Sequence, residues 1–194
     1  MEGSDVLTLE ESARVAGHAR WTETRLFEVM GSWVTVEPDA TAKVLWSTHS
    51  RRHATAAQIW RDRQPRVAHL DRNALTVPAG PGVAALVDAL AGLVEPSATV
   101  ARLVAVARVV EPRRLAAYAN RVARAHPLAD DPAVRWTRFL LADAETCRVG
   151  TEGLLCDRLA GRGGREAAGD AEARLAACLT DLTDLFGLTG HGKP

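Results

Sequence analysis

From Asp39 to Trp60 one face of the chain collects Ala42, Leu45, Trp46, His49, His53, Ala56, Ala57 and Trp60. That is an i, i+3, i+4, i+7 stripe, the spacing of a helix that buries one face. The pattern recurs along the chain, whereas strand signals are nearly absent: no β-branched alternation, one Tyr and three Phe. A chain patterned in this way folds as packed helices. The stripe is broken by two histidines one turn apart, so both rings project inward. A buried imidazole needs a partner for each ring nitrogen, which makes His49 and His53 the first candidates for a site.

The periodicity predicts a first helix over Leu9 to Trp33, stopping near Gly31, with Val15, Ala19, Thr22, Leu26, Met30 and Trp33 inward. A second starts at Pro38 and runs to about Asp62. A polar connection from Arg61 to Gly80 closes with Pro78-Ala79-Gly80-Pro81-Gly82 and is long enough to cover an edge of the bundle. A third helix covers Val83 to Val94. The fourth covers Ala98 to Ala125, with a kink or break before Pro112. The fifth covers Pro132 to Leu159 behind the cap Asp130-Asp131. Residues 161–169 read as a glycine-rich hinge and residues 170–187 as a C-terminal amphipathic helix, burying Leu175, Cys178, Leu179, Leu182, Leu185 and Phe186. The expected fold is therefore all-α: one domain of five to six helices, with residues 9–159 as bundle core.

With 194 residues the chain is long enough for one sizeable core. Its 24 acidic and 24 basic residues leave no positive field for nucleic acid. The basic residues are almost all Arg, with Lys only at Lys43 and Lys193, the usage of a high-GC bacterial genome. The longest apolar region, Val83 to Val110, carries Asp88, Glu95, Pro96, Arg102 and Arg108 and cannot span a bilayer. The N-terminus is acidic and lacks a signal-peptide core. Cys147, Cys156 and Cys178 form no C-x-x-C pair and read as buried thiols of a reducing cytoplasm.

Bundles build sites from side chains on facing helices. The inward polar residues are Glu23 on the first helix, His49 and His53 on the second, Tyr118 on the fourth and Asp143 at the edge of the fifth. The fourth helix shows a stripe of Leu115, Tyr118, Val122 and Ala125 and no inward carboxylate. Over roughly Leu9 to Leu159 this arrangement resembles the ferritin-like superfamily. The resemblance implies a four-helix core from the first, second, fourth and fifth helices. Its di-iron members carry one Glu on each of two helices and Glu-x-x-His on two others. It would match Glu23 to a single Glu, His49 to the first His and Asp143 to the second acid. The residue three before His49 is Trp46 and the residue three after Asp143 is Thr146, so the ligand set is degenerate.

Three readings follow. His49, His53, Glu23 and Asp143 suit a mononuclear divalent metal, Fe, Zn or Mn, as in an oxygenase-like enzyme. The same groups with Tyr118 suit metal-free acid/base chemistry of a lyase or cyclase type. They also suit mutual satisfaction in a core, which fixes helix register. The functional expectation is a small bacterial enzyme or enzyme subunit. It would act on a small molecule in a bundle-core pocket lined by His and carboxylates, in biosynthetic or specialised metabolism. The alternative is a non-catalytic helical partner that completes another subunit, its last helix docking from the glycine tether; homo-oligomerisation is left open.

Overall fold

The computed structural model describes residues 6–126, 128, 130–179, 182 and 184–188, with Arg162 and residues 177–179 described by backbone alone. The described residues form an all-helical bundle of six helices, with no strand among them. They are α1 (Leu9–Val36), α2 (Ala40–Arg63), α3 (Pro81–Ala91), a long α4 (99–123), α5 (Asp131–Leu159) and α6 (Arg162–Leu179). Among the described residues no helix is long and apolar enough to cross a membrane.

Thr8 opens α1 with a capping box: its hydroxyl accepts from the Glu11 amide while Glu11 accepts from the Thr8 amide. Glu37 to Asp39 turns the chain into α2, whose first amides donate to Asp39. The two helices then pack along one another. The inward stripe read for α1 is buried throughout. Gly31 does not end that helix. A Cβ there would stand 3.2 Å from Ser50 Oγ, so its lack of a side chain serves close packing of α1 on α2. The connection after α2 crosses α1 at Gly17, where a Cβ would come within 2.2 Å of the Leu75 carbonyl.

The fourth helix continues through Pro112 instead of breaking. It has three successive stretches, Thr99–Val104, Ala105–Val110 in π geometry and Glu111–Ala123. The Glu111 amide reaches back to the Val106 carbonyl, the wider turn that makes room for the proline ring.

The C-terminal segment differs from the expected hinge and helix. The last helix begins at Arg162, and Gly164 sits in its first turns, where a Cβ would lie 2.0 Å from the Arg158 carbonyl. The glycine permits close approach of α6 to the end of α5 and is not a tether. Beyond α6, Leu182, Leu185 and Phe186 are buried in non-helical chain. That chain is held to α1 by Thr22 donating to the Leu185 carbonyl at 3.4 Å and by His18 against the Phe186 carbonyl at 3.2 Å. Residues 184–188 are therefore docked on the chain's own core. Cys147 is buried as expected, whereas Cys156 is exposed because it lies on the outer face of α5. The Cys178 side chain and the first five residues lie outside the described residues.

Candidate functional site

α1, α2, α4 and α5 each send polar side chains into one fully buried cluster. Its members are Glu23, His49, His53, Glu111, Arg114, Tyr118, Cys147 and Thr151, none more than 2% exposed. Two halves can be distinguished, and Arg114 joins them.

The first half is centred on Glu23. Its carboxylate accepts from Arg114 Nε at 3.0 Å, Tyr118 Oη at 2.5 Å and His53 Nδ1 at 2.6 Å. Burial pushes this carboxyl up, but the Arg114 guanidinium, His53 and the Tyr118 hydroxyl outweigh it and hold the group at about 2. Glu23 is thus an ionised and fully satisfied acceptor. Trp60 stacks on Tyr118 with ring centroids 6.2 Å apart and closes this half toward one end of the bundle.

The second half holds Glu111, His49, Thr151 and Cys147. Arg114 Nη1 donates to both Glu111 oxygens, at 2.8 and 2.7 Å. Here burial outweighs the guanidinium, and the Glu111 carboxyl is raised. Two carboxylates on one arginine are therefore driven in opposite directions, which separates their roles. His49 Nε2 lies 3.0 Å from Thr151 Oγ1, whose proton lies toward the Cys147 carbonyl at 2.8 Å. With that proton engaged, Thr151 accepts from Nε2–H, and Nδ1 presents its lone pair. Among the described residues Nδ1 has no hydrogen-bond partner, and it stands 3.6 Å from Glu111 Oε1. Burial, His53, Arg114 and Arg52 together keep this imidazole well below its ordinary value, hence neutral. Cys147 completes the group: one ligand atom from each of His49, Glu111 and Cys147 lies within 4.8 Å of the others. Burial and the Glu111 charge push the Cys147 thiol up to about 11, although Arg52 donates to its sulfur at 3.2 Å.

Of the five residues expected from the sequence, four belong to the cluster. Asp143 does not: it pairs with Arg52 at 3.0 Å at the rim of α5 and is partly exposed. His49 and His53 do not converge on one point either; their centroids are 6.3 Å apart, His53 bonds Glu23, and His49 lies beside Glu111 without a hydrogen bond to it. The fourth helix does carry an inward carboxylate, Glu111. Its buried face is Glu111, Arg114, Ala117, Tyr118 and Arg121, one residue earlier than the apolar pattern suggests. The signal that could have found it is the i, i+3 pair Glu111–Arg114 just after Pro112. A cavity of about 270 Å³ opens at the bundle end, but its wall is formed by Trp60, Arg121, Trp136 and Leu140, not by the histidines.

The residues present do not fit a carboxylate-bridged di-iron centre. The position that would supply a bridging Glu is Trp46, whose indole N–H donates to Glu37. The guanidinium of Arg114 bonds both Glu23 and Glu111, and so stands between the two carboxylates that a pair of metal ions would otherwise bridge. Compared with family models, curated proteins and solved structures, the chain matches none.

Proposed function

We propose that this chain is a small bacterial enzyme, or enzyme subunit, that acts on a small molecule through a mononuclear divalent-metal centre. Its ligands are His49, Glu111 and Cys147. The observation that carries this reading is the buried His49 Nδ1 without a partner, 3.6 Å from Glu111, with Cys147 beside them. A four-coordinate ion at about 2.0–2.3 Å from its ligands spaces them roughly 3.3–3.8 Å apart. The imidazole and carboxylate already have that spacing. The surrounding groups are those a metal site uses to orient its ligands: Thr151 on the far nitrogen of His49, Arg114 on Glu111, Arg52 on the sulfur. A thiolate among the ligands favours zinc over iron or manganese. Three protein ligands leave one position for water or substrate, the pattern of a Lewis-acid catalyst. The helix layout, with carboxylates on α1 and α4 and histidines on α2, supports a ferritin-like origin in which Arg114 has replaced the cations between the two acids.

Elemental analysis of the purified protein tests this. About one equivalent of zinc, lost in His49→Ala and Cys147→Ser, is expected. No metal taken up even after incubation with zinc overturns it. A second reading has its own support: the closed set of bonds around Glu23 also serves a purely structural role that fixes helix register. A metal-free folded protein with unaltered stability in the presence of zinc would favour that role for the whole cluster.

A further inference from the structure

The outer face of α5 carries a second regularity. Phe139, Ala142, Thr146, Val149, Gly153 and Cys156 follow one another at alternating steps of three and four, and all six are exposed. The core-facing residues of the same helix, among them Leu140, Ala144, Cys147 and Thr151, lie on the side away from them. A helix packed by one face on its own bundle is expected to turn charged and polar residues to water. This one instead presents a seam with the spacing by which two helices pack along each other. Phe139 is 50% exposed and Val149 56%. Trp136 packs edge-on against Phe139, ring centroids 5.9 Å apart, and widens the patch.

The seam is uneven in two ways that match when it is turned end for end. In size, its first half holds Trp136 and Phe139, and its second half holds Val149, Gly150 and Gly153. A Cβ on Gly153 would meet nothing within 4 Å, and one on Gly150 only a Leu45 methyl at 3.9 Å. Packing inside the chain requires neither glycine, and each weakens the helix. In charge, Arg138 flanks the seam near one end and Glu152 lies on the same flank two heptads later. Neither makes an ion pair among the described residues, and Glu152 is reached only by the Cys156 thiol, at 3.9 Å. An antiparallel copy, related by a two-fold axis at the level of Ala144, sets Phe139 against Val149, Ala142 against Thr146 and Trp136 against Gly150. It also brings Arg138 to Glu152 at both ends. The overlap runs from residue 135 to residue 153, about 27 Å of helix. The acids nearest the axis, Asp143 and Glu145, already hold Arg52 and Arg148 of their own chain. A parallel copy would instead stack the bulky ends together and bring Glu152 to Asp157. A surface that complements itself only when inverted is the mark of a two-fold interface.

We propose that this face of α5 is a homodimer interface, formed by antiparallel pairing of α5 with its counterpart in a second copy of the chain. The interface stands whether or not His49, Glu111 and Cys147 hold a metal. Sedimentation equilibrium of the full chain tests it, under reducing conditions so that Cys156 cannot link two copies. A dimer is expected. Val149→Asp is expected to shift it to monomer with helical content unchanged, because the side chain it replaces is exposed. Arg138→Glu and Glu152→Arg are each expected to weaken association about tenfold, and the two together to restore it. A monomer at every concentration overturns the proposal, as does a dimer that Val149→Asp leaves intact. Single reversals without effect, or a double reversal that fails to restore association, overturn the antiparallel pairing and the proposal with it.

Discussion

Arg114 is the residue on which the buried cluster depends. Its guanidinium bonds both Glu23 and Glu111, so its removal leaves two buried carboxyl groups without their cation. Arg114→Met should cost about 3–5 kcal/mol in urea denaturation. Adding Glu23→Gln and Glu111→Gln should restore much of that loss, since the charge to be compensated is gone. Acid should act through Glu23. Its folded value of about 2 lies below the ordinary 4.5, so its contribution is present above about pH 4.5 and is lost as pH falls toward 2. That contribution amounts to about 3 kcal/mol. Stability measured from pH 5 to 2 should fall in wild type and be flatter in Glu23→Gln. His49 has the opposite charge type and the same sign of effect: it is neutral in the fold, so stability also falls as pH drops below about 6.5. Glu23, His49, His53 and Tyr118 were legible in the sequence because each interrupts or completes an apolar stripe. Thr151 was legible too, on the stripe of the fifth helix with Leu140, Ala144, Cys147 and Leu154. Glu111 and Arg114 were not, since a charged residue carries no periodic signal of burial and only its ion pairs allow it to be buried.

At the scale of elements, hydrophobic periodicity located the helices but not the face of α4. The run from Leu103 to Ala107 is apolar on every side, and the π turn that includes it rotates the following helix relative to a regular one. The polar inward face after it cannot be phased from the sequence for that reason. Glycine misled in a different way. Gly161 to Gly164 have the composition of a hinge, yet Gly164 is present because a backbone carbonyl occupies the space of its Cβ. Two substitutions separate flexibility from packing. Gly164→Ala should destabilise by about 1–3 kcal/mol, because the clash is with backbone. Gly163→Ala, one residue earlier with nothing within 4 Å, should stabilise by about 0.5–1 kcal/mol through higher helix propensity. Equal and small effects in thermal unfolding would return the segment to a hinge.

Across the whole molecule, charge is organised from within. A second buried pair, Arg102 with Glu37 at 2.8 Å, ties the end of α1 to α4, and Arg102 also donates to the Leu93 and Glu95 carbonyls before that helix. The two networks lie at different levels of one bundle. In the Glu37–Arg102 network the acid is met by donors from Arg102, Trp46 and Thr99. Among the described residues the central cluster leaves His49 Nδ1 and His53 Nε2 without partners. Beside the first network the Trp33 indole N–H also lacks an acceptor, but it is a donor with no lone pair to offer a metal. The free ring nitrogens are why the central cluster is read as a site. X-ray absorption at the zinc edge of the zinc-loaded protein tests this most directly. The account predicts one sulfur at about 2.3 Å and nitrogen or oxygen neighbours at about 2.0 Å. The sulfur shell should vanish in Cys147→Ser. A zinc spectrum with oxygen and nitrogen neighbours alone in the wild-type protein, or one unchanged by that substitution, would contradict it.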